Sequence, residues 1–377
     1  MMNIPILRLP YTNEEIAEIQ EGVACVLRSG VLTKGSTVEA FEHEWAAYCG
    51  VQHALACASG TSALEMIMRA IDVQDKEVII PSNTFIATAV AVIRAGGKVV
   101  LADCERENLQ LSLKSVMDCW TRNTVAVMLV HIGGNITPDI EQFKYWCAIK
   151  KIALVEDSCH AHGLEYDGHK AGSFGLAAGF SFFPTKILTT AEGGMITTDN
   201  PYLYEYCYSL RNQGRLKTNP QVHDKLGYNW RMDELRAVLG LQQVRKADSI
   251  LAERRTIASW YDKRLPASVW CGEISPLVRP AYYKYVVLPS SLKPSDQYHP
   301  IAWRAKVNAH MLSKGIQMPG LVYEVPLHRQ PVANMFSTPV PLDATDWVAD
   351  HHLCLPLHLS LTEEEVDYVV ESLREVL

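Results

Sequence analysis

The chain has 377 residues, 48% of them hydrophobic, and a formal net charge of −7. That length can bury a large core over two or three domains, and the acidic balance offers no basic field to a polyphosphate backbone, so nucleic acid is not an expected partner. The N-terminus lacks a basic start followed by an apolar run, and apolar stretches elsewhere meet a charge before about 18 residues, so no membrane span and a cytoplasmic location are expected.

The ten cysteines are scattered without a C-x-x-C pair, which fits reduced, mostly buried thiols. No fixed-period repeat or low-complexity tract interrupts the chain.

In chain order, ASGTSALEMIM (58–68) comes first. Ser59, Gly60 and Thr61 open an apolar helix, whose unpaired N–H groups and positive dipole end suit either a phosphate or an ordinary Ser/Thr cap. The runs EVIIP (77–81), KVVLAD (98–103), TVAVMLVH (124–131) and IALVED (152–157) read as strands. Between them lie helical patterns such as TSALEMIMRAI and TFIATAVAVIRAG, which together indicate an α/β sheet covered on both faces.

IALVED closes on Glu156 and Asp157, and His160 and His162 follow. A carboxylate at the end of such a strand stands where open α/β sheets place ligands. H-x-H near an aspartate also fits a metal, yet no further His or Cys set accompanies it, and none is expected.

GFSFFPTKILTTAEGGM (179–195) sets Lys186 among aromatic and small residues. Such a lysine either lays its stem on apolar surface with its head in water, or gives its amine to a covalent partner. GFSFF (179–183) and GMITTD (194–199) lie too close for a helical crossover, so they should pair antiparallel in a mixed sheet. Residues 231–265 have helical spacing throughout and read as one long connecting helix. Beyond it the chain is richer in Pro, Trp and His, with a strand in YYKYVVLP and a last helix capped by Thr362.

A helix-start anion site, a strand-end aspartate and a lysine about 30 residues later describe what pyridoxal phosphate requires. The lysine forms the Schiff base, the helix start takes the phosphate, and the carboxylate pairs with the ring nitrogen.

Six ordered motifs strengthen this: SGTSAL (59–64), IPSNTFIATAVAV (80–92), VEDSCHAHG (155–163), GSFGLAAGFSFFPTKILTTAEGGMITTD (172–199), LGYNWRMDELRAVLGLQQ (226–243) and LPLHLSLTEEEV (355–366). Through them the sequence resembles the DegT/DnrJ/EryC1/StrS family of pyridoxal-phosphate enzymes, chiefly sugar aminotransferases. The resemblance implies an aspartate-aminotransferase-like (fold type I) architecture: a large domain over 1–245, with a mixed, mostly parallel seven-stranded sheet, and a smaller α+β domain over 246–377.

By position it also implies that Lys186 forms the Schiff base and Asp157 meets the ring nitrogen. Gly60, Thr61 and Ser181 would hold the phosphate, and Phe85 would stack on the ring, unless it is a core phenylalanine. Asn229 would reach the phosphate of a neighbouring subunit, which implies a homodimer with sites at its interface. His160 stands where the family most often has Gln, beside the cofactor's phenolic oxygen. A neutral imidazole can donate the same hydrogen bond, whereas a charged one would alter the Schiff base's titration.

Arg231, Tyr323 and His328 are candidate substrate contacts; Arg231 could instead pair with a carboxylate of the connecting helix. The implied activity is transfer of an amino group from glutamate to a keto sugar, above all a nucleotide-linked 3- or 4-keto-deoxysugar. A keto-cyclitol or free sugar is the alternative acceptor. A sugar dehydratase would carry histidine in place of Lys186, a regulatory protein would not need the intact site, and a nicotinamide enzyme would want a G-x-G-x-x-G that is absent.

Overall fold

Short β-branched runs fold here as strands buried on both faces, which is why they are apolar throughout rather than alternating. The computed structural model describes residues 2–290 and 300–377. The central sheet has seven strands: β1 (His53–Cys57), β2 (Glu77–Pro81), β3 (Lys98–Ala102), β4 (Thr124–Val130), β5 (Ala153–Asp157), β6 (Ala177–Ser181) and β7 (Gly194–Thr198). Their order is β1-β7-β6-β5-β4-β2-β3. β2 to β6 run parallel, and β7 lies antiparallel to both of its neighbours, so the expected antiparallel pair is present.

Two expectations shift. GFSFF reads as a strand over 179–183, but the strand runs over Ala177–Ser181, and Phe183 beyond it is 44% exposed. Small residues are needed at its centre, because a Cβ on Gly179 would lie 2.7 Å from Leu64 Cδ2 of the helix Gly60–Ala70. The expected single helix over 231–265 is two, Glu234–Arg245 and Ala247–Arg264, with Lys246 between them at ψ −1°. Each half packs on a different partner: the first on the helix Ser36–Cys49, the second on the helix Glu363–Arg374. One straight axis does not serve both.

Two of the cores lie against the central sheet. A third gathers Ile4, Ile257, Tyr261, Tyr285, Val307, Leu353, Val366 and Val370 around the C-terminal segments. There Thr362 caps the last helix as expected, in a capping box with Glu365. Such a box stabilises a helix by about 1 kcal/mol. Among the described residues no helix is long and apolar enough to cross a membrane.

The topology directs function to one edge. The carboxyl ends of β1, β2, β4, β5 and β6 open on the same side, and the chain leaves them through Ser59–Gly60, Ser82–Phe85, His131–Gly134, Asp157–His160 and Phe182–Lys186. That edge is where parallel sheets bind ligands.

Candidate active site

β5 ends in two buried carboxylates with different partners. Glu156, fully buried, accepts from His131 Nε2 at 2.9 Å and from the N–H groups of Gly172, Phe174 and Gly175 at 2.9, 2.8 and 3.0 Å. Burial alone would raise its pKa; the His131 contact and the Gly172 and Gly175 N–H groups outweigh that and hold it below the usual carboxylate value. Glu156 therefore ties down the 172–175 turn. Asp157 accepts from Thr88 Oγ1 at 2.8 Å and from Cys159 N at 3.2 Å, and Thr88 also meets Thr84 Oγ1 at 2.7 Å. The two contacts orient Asp157 and leave it acceptor capacity for a cationic ring N–H.

Lys186 follows β6 on a tight loop: its N–H donates to Phe183 O at 2.9 Å, and Thr190 N to Phe182 O at 3.0 Å. Its ammonium makes no ion pair among the described residues and lies 4.8 Å from the centroid of Tyr283. A half-buried amine set against a ring face, with no ion pair among the described residues, is available for covalent chemistry.

Gly60 is the first residue of its helix, and Ser59 caps it by accepting from Ser62 N at 3.2 Å. The N–H groups of Gly60 and Thr61 meet no acceptor among the described residues. A Cβ on Gly60 would lie 2.8 Å from both Ser181 Cβ and Cys159 Sγ, so glycine alone brings this helix start against Ser181. Free N–H groups, a dipole and two hydroxyls form a fitting phosphate cradle.

Four rings line the space beside these groups. His160 stacks on Tyr283 (4.0 Å, 20°) and on Tyr323 (5.9 Å, 16°), and Tyr323 stacks on Phe85 (6.4 Å, 26°). Phe85 is 58% exposed at the start of the helix Ile86–Arg94, which removes the reading of it as a core residue. His160 is buried; Nε2 lies 3.3 Å from the Tyr323 hydroxyl and Nδ1 has no hydrogen-bond partner among the described residues. Burial, then the charges of Lys186 and Lys284, hold its pKa well below 6.5, so the imidazole is neutral. His162 lies apart from this stack, among Trp45, Phe180 and Phe182, with its pKa lowered to about 3 by burial and Lys186.

The structure thus brings Lys186, Asp157, His160, Tyr323, Phe85, Gly60, Thr61 and Ser181 to one edge. Three candidates stand differently. Asn229 is exposed, with its backbone bridged to Asn212. Arg231 donates to Asn212 Oδ1 at 2.8 Å, an amide rather than the carboxylate considered for it, and borders a cavity of about 380 Å³ beside Lys34 and Arg211. His328 has both ring nitrogens engaged, Nδ1 with Ser82 Oγ at 2.7 Å and Nε2 with Asp346 at 2.8 Å, and latches the 327–329 turn to β2's exit.

Two residues escaped sequence reasoning. Thr88, one turn after Thr84, had a legible signal in the T-x-x-x-T spacing. Tyr283 had none, because YYKYVVLP reads as a plain strand whereas the strand begins only at Tyr285.

The DegT/DnrJ/EryC1/StrS aminotransferase family matches residues 13–374. GDP-perosamine synthase of Escherichia coli O157:H7 is 30% identical over 377 residues, covering 100% of this chain and 99% of its own. The UDP-N-acetyl-3-dehydro-alpha-D-glucosamine 3-aminotransferase of Acidithiobacillus ferrooxidans is 31% identical over 96% of this chain and 94% of its own. Among solved structures, S. venezuelae DesV in complex with a ketimine intermediate superposes with a TM-score of 0.90 at 29% identity, covering 100% and 98% of the two chains. The chain belongs to the DegT/DnrJ/EryC1/StrS family and is a pyridoxal-phosphate-dependent aminotransferase.

Proposed function

We propose that this aminotransferase moves an amino group from glutamate to a nucleotide-linked keto-deoxysugar, aminated at carbon 3 or 4. The observation that carries the reading is Lys186: an ammonium without an anionic partner among the described residues, on the sheet edge that also bears Asp157 and the Gly60–Ser181 cradle. The names of the perosamine synthase and the 3-aminotransferase support a sugar nucleotide as acceptor.

Bound, pyridoxal phosphate supplies an aldehyde for amine exchange and a ring that withdraws electrons from the carbon attached to the amine. The chain's own groups do the rest. Lys186 would hold the cofactor through Nζ, and the same amine, free and neutral, would take the proton from the donor's α carbon and hand it on to the cofactor's carbon, with the reverse transfer serving the acceptor. Asp157, held by Thr88 and the Cys159 N–H, keeps a proton on the ring nitrogen through its negative charge. His160 donates one hydrogen bond as a neutral imidazole, Phe85 walls the ring, and Gly60, Thr61 and Ser181 hold the phosphate. Tyr323 borders the substrate side.

Exposed Asn229 and half-buried Arg231 are proposed to serve the site of a second copy, which makes the working form a homodimer, in the cytoplasm. The unit that carries the cofactor is proposed to end near residue 245. Incubation with glutamate should convert the bound cofactor to its aminated form, and a panel of keto-sugar nucleotides should restore the original absorbance. No spectral change with glutamate would favour a regulatory role, and restoration by a keto-cyclitol alone would reassign the acceptor.

A further inference from the structure

Tyr283 enters the site on a segment whose backbone is under constraint. Tyr282, just before it, has φ +49°, the left-handed region that disfavours residues with a side chain, so neighbouring groups must hold it. Two arginines of the helix Ala247–Arg264 do so. Arg255 donates to Pro280 O at 2.9 Å, Gly163 O at 3.0 Å and Arg279 O at 3.1 Å. Arg254 donates from Nε to Tyr282 O at 3.1 Å, and from Nη2 to Tyr282 O at 2.5 Å, Tyr283 O at 3.3 Å and Leu357 O at 3.3 Å.

Arg254 is buried and pairs with no carboxylate among the described residues. Burial lowers its pKa to about 10, which leaves it charged at neutral pH. Its bonds reach the carbonyls on both sides of the Tyr283 Cα, so both peptide planes there are fixed and with them the direction of the side chain. From the opposite side the segment rests on the Gly133–Gly134 turn, with Ala281 N donating to Gly134 O at 2.8 Å and Lys284 N to Gly133 O at 3.1 Å. A Cβ on Gly134 would lie 2.7 Å from Tyr283 N and 2.9 Å from His160 O, so the approach requires glycine. The outcome is a tyrosine ring 4.0 Å from the His160 ring and 4.8 Å from Lys186 Nζ.

We propose that Tyr283 is the platform that sets Lys186 Nζ and His160 in register, and that Arg254 is the positioning residue that sets Tyr283. The Lys186 half rests on the reading of that residue as the cofactor's lysine. The ring face, not the hydroxyl, carries the role: the ring faces the ammonium and the imidazole, while the hydroxyl lies 3.4 Å from Thr185 Oγ1.

The test uses two readouts. In cofactor-free protein with labelled histidine, the carbon-bound imidazole protons of His160, assigned by their loss in His160→Gln, should resonate upfield because of the Tyr283 ring current. Tyr283→Phe keeps that shift, and Tyr283→Leu removes most of it, leaving what the more distant Tyr323 ring contributes. Arg254→Met and Arg254→Lys both displace it, although Arg254 bonds to neither His160 nor Lys186.

In the second readout, the rate at which added pyridoxal phosphate becomes fixed to the protein by borohydride falls in Tyr283→Leu, because Lys186 Nζ loses the ring that sets its position. Arg254→Met shows the same fall. The double variant is no slower than Tyr283→Leu, because one residue acts through the other. An unmoved His160 signal in a folded Arg254 variant, or additive rate losses, overturns the proposal. Arg254→Lys decides it if Arg254→Met does not fold. The first readout involves no cofactor, so failure of the native protein to take up cofactor at Lys186 defeats the functional reading while the His160 signal still decides the positioning role.

Discussion

Replacing Glu156 by Gln separates support from chemistry at the end of β5. Oε2 of the carboxylate accepts from His131 and Gly172, and Oε1 from Phe174 and Gly175. A glutamine has one acceptor oxygen. If that oxygen keeps Phe174 and Gly175, the new amide faces the Gly172 N–H, donor against donor. One buried N–H without a partner costs about 1–3 kcal/mol, and the two retained bonds lose ionic strength worth roughly 1 kcal/mol more. The expected loss is about 3 kcal/mol.

Urea unfolding of the cofactor-free protein at pH 7, with unchanged m, would read this as a lower midpoint. Asp157→Asn, which keeps an oxygen for Thr88 or Cys159, should lose about 1 kcal/mol or less while damaging turnover far more. Glu156→Gln within about 0.5 kcal/mol of the native protein, or an Asp157→Asn loss larger than it, would refute this reasoning.

The pH dependence carries the same signature. Glu156 titrates lower in the folded protein than unfolded, so the unfolded chain takes up its proton first as pH falls. Its stabilisation is complete above about pH 4.3 and drains away below that, a decline that should be shallower in the Gln variant.

Gly60→Ala pushes a methyl to 2.8 Å from Ser181 Cβ and Cys159 Sγ, which forces the helix start off the cradle. Titration with pyridoxal phosphate should show affinity weakened about tenfold or more, the worth of a hydrogen bond to a charged group, and unchanged affinity would place the phosphate elsewhere. His160→Gln should leave the pH profile of the bound cofactor's absorbance unchanged between pH 6 and 8, because the native imidazole is already neutral there. An inflection near pH 6.5 that vanishes in the variant would contradict that charge state. Phe85→Ala should cost little stability, since the ring is largely exposed, yet weaken cofactor affinity about two- to tenfold through lost stacking.

Much of this fold was legible because its strands are double-buried. After their first, charged residue EVIIP and KVVLAD run apolar and rich in β-branched residues, and each became a strand within a residue of its expected end. HALAC was not legible: alanine-rich, it has weak β preference and becomes β1 only by pairing with β7. The break at Lys246 was hidden because apolar spacing continues smoothly across it, and only the two different packing partners require the bend.

In the site, the residues that do chemistry announced themselves through unusual company: Lys186 among aromatics, Asp157 at a strand end, Gly60 at a helix start. Those that hold them did not. Arg254 reads as one more charge on an amphipathic helix, and Glu156 as half of an acidic pair whose members take separate roles.

The account stands on one covalent link. Borohydride reduction of the holoprotein, followed by peptide mass mapping, should place the reduced cofactor on the peptide containing Lys186 and leave Lys284, the other lysine whose charge reaches His160, unmodified. Label on Lys284, or none at all in protein that retains its cofactor, would contradict it.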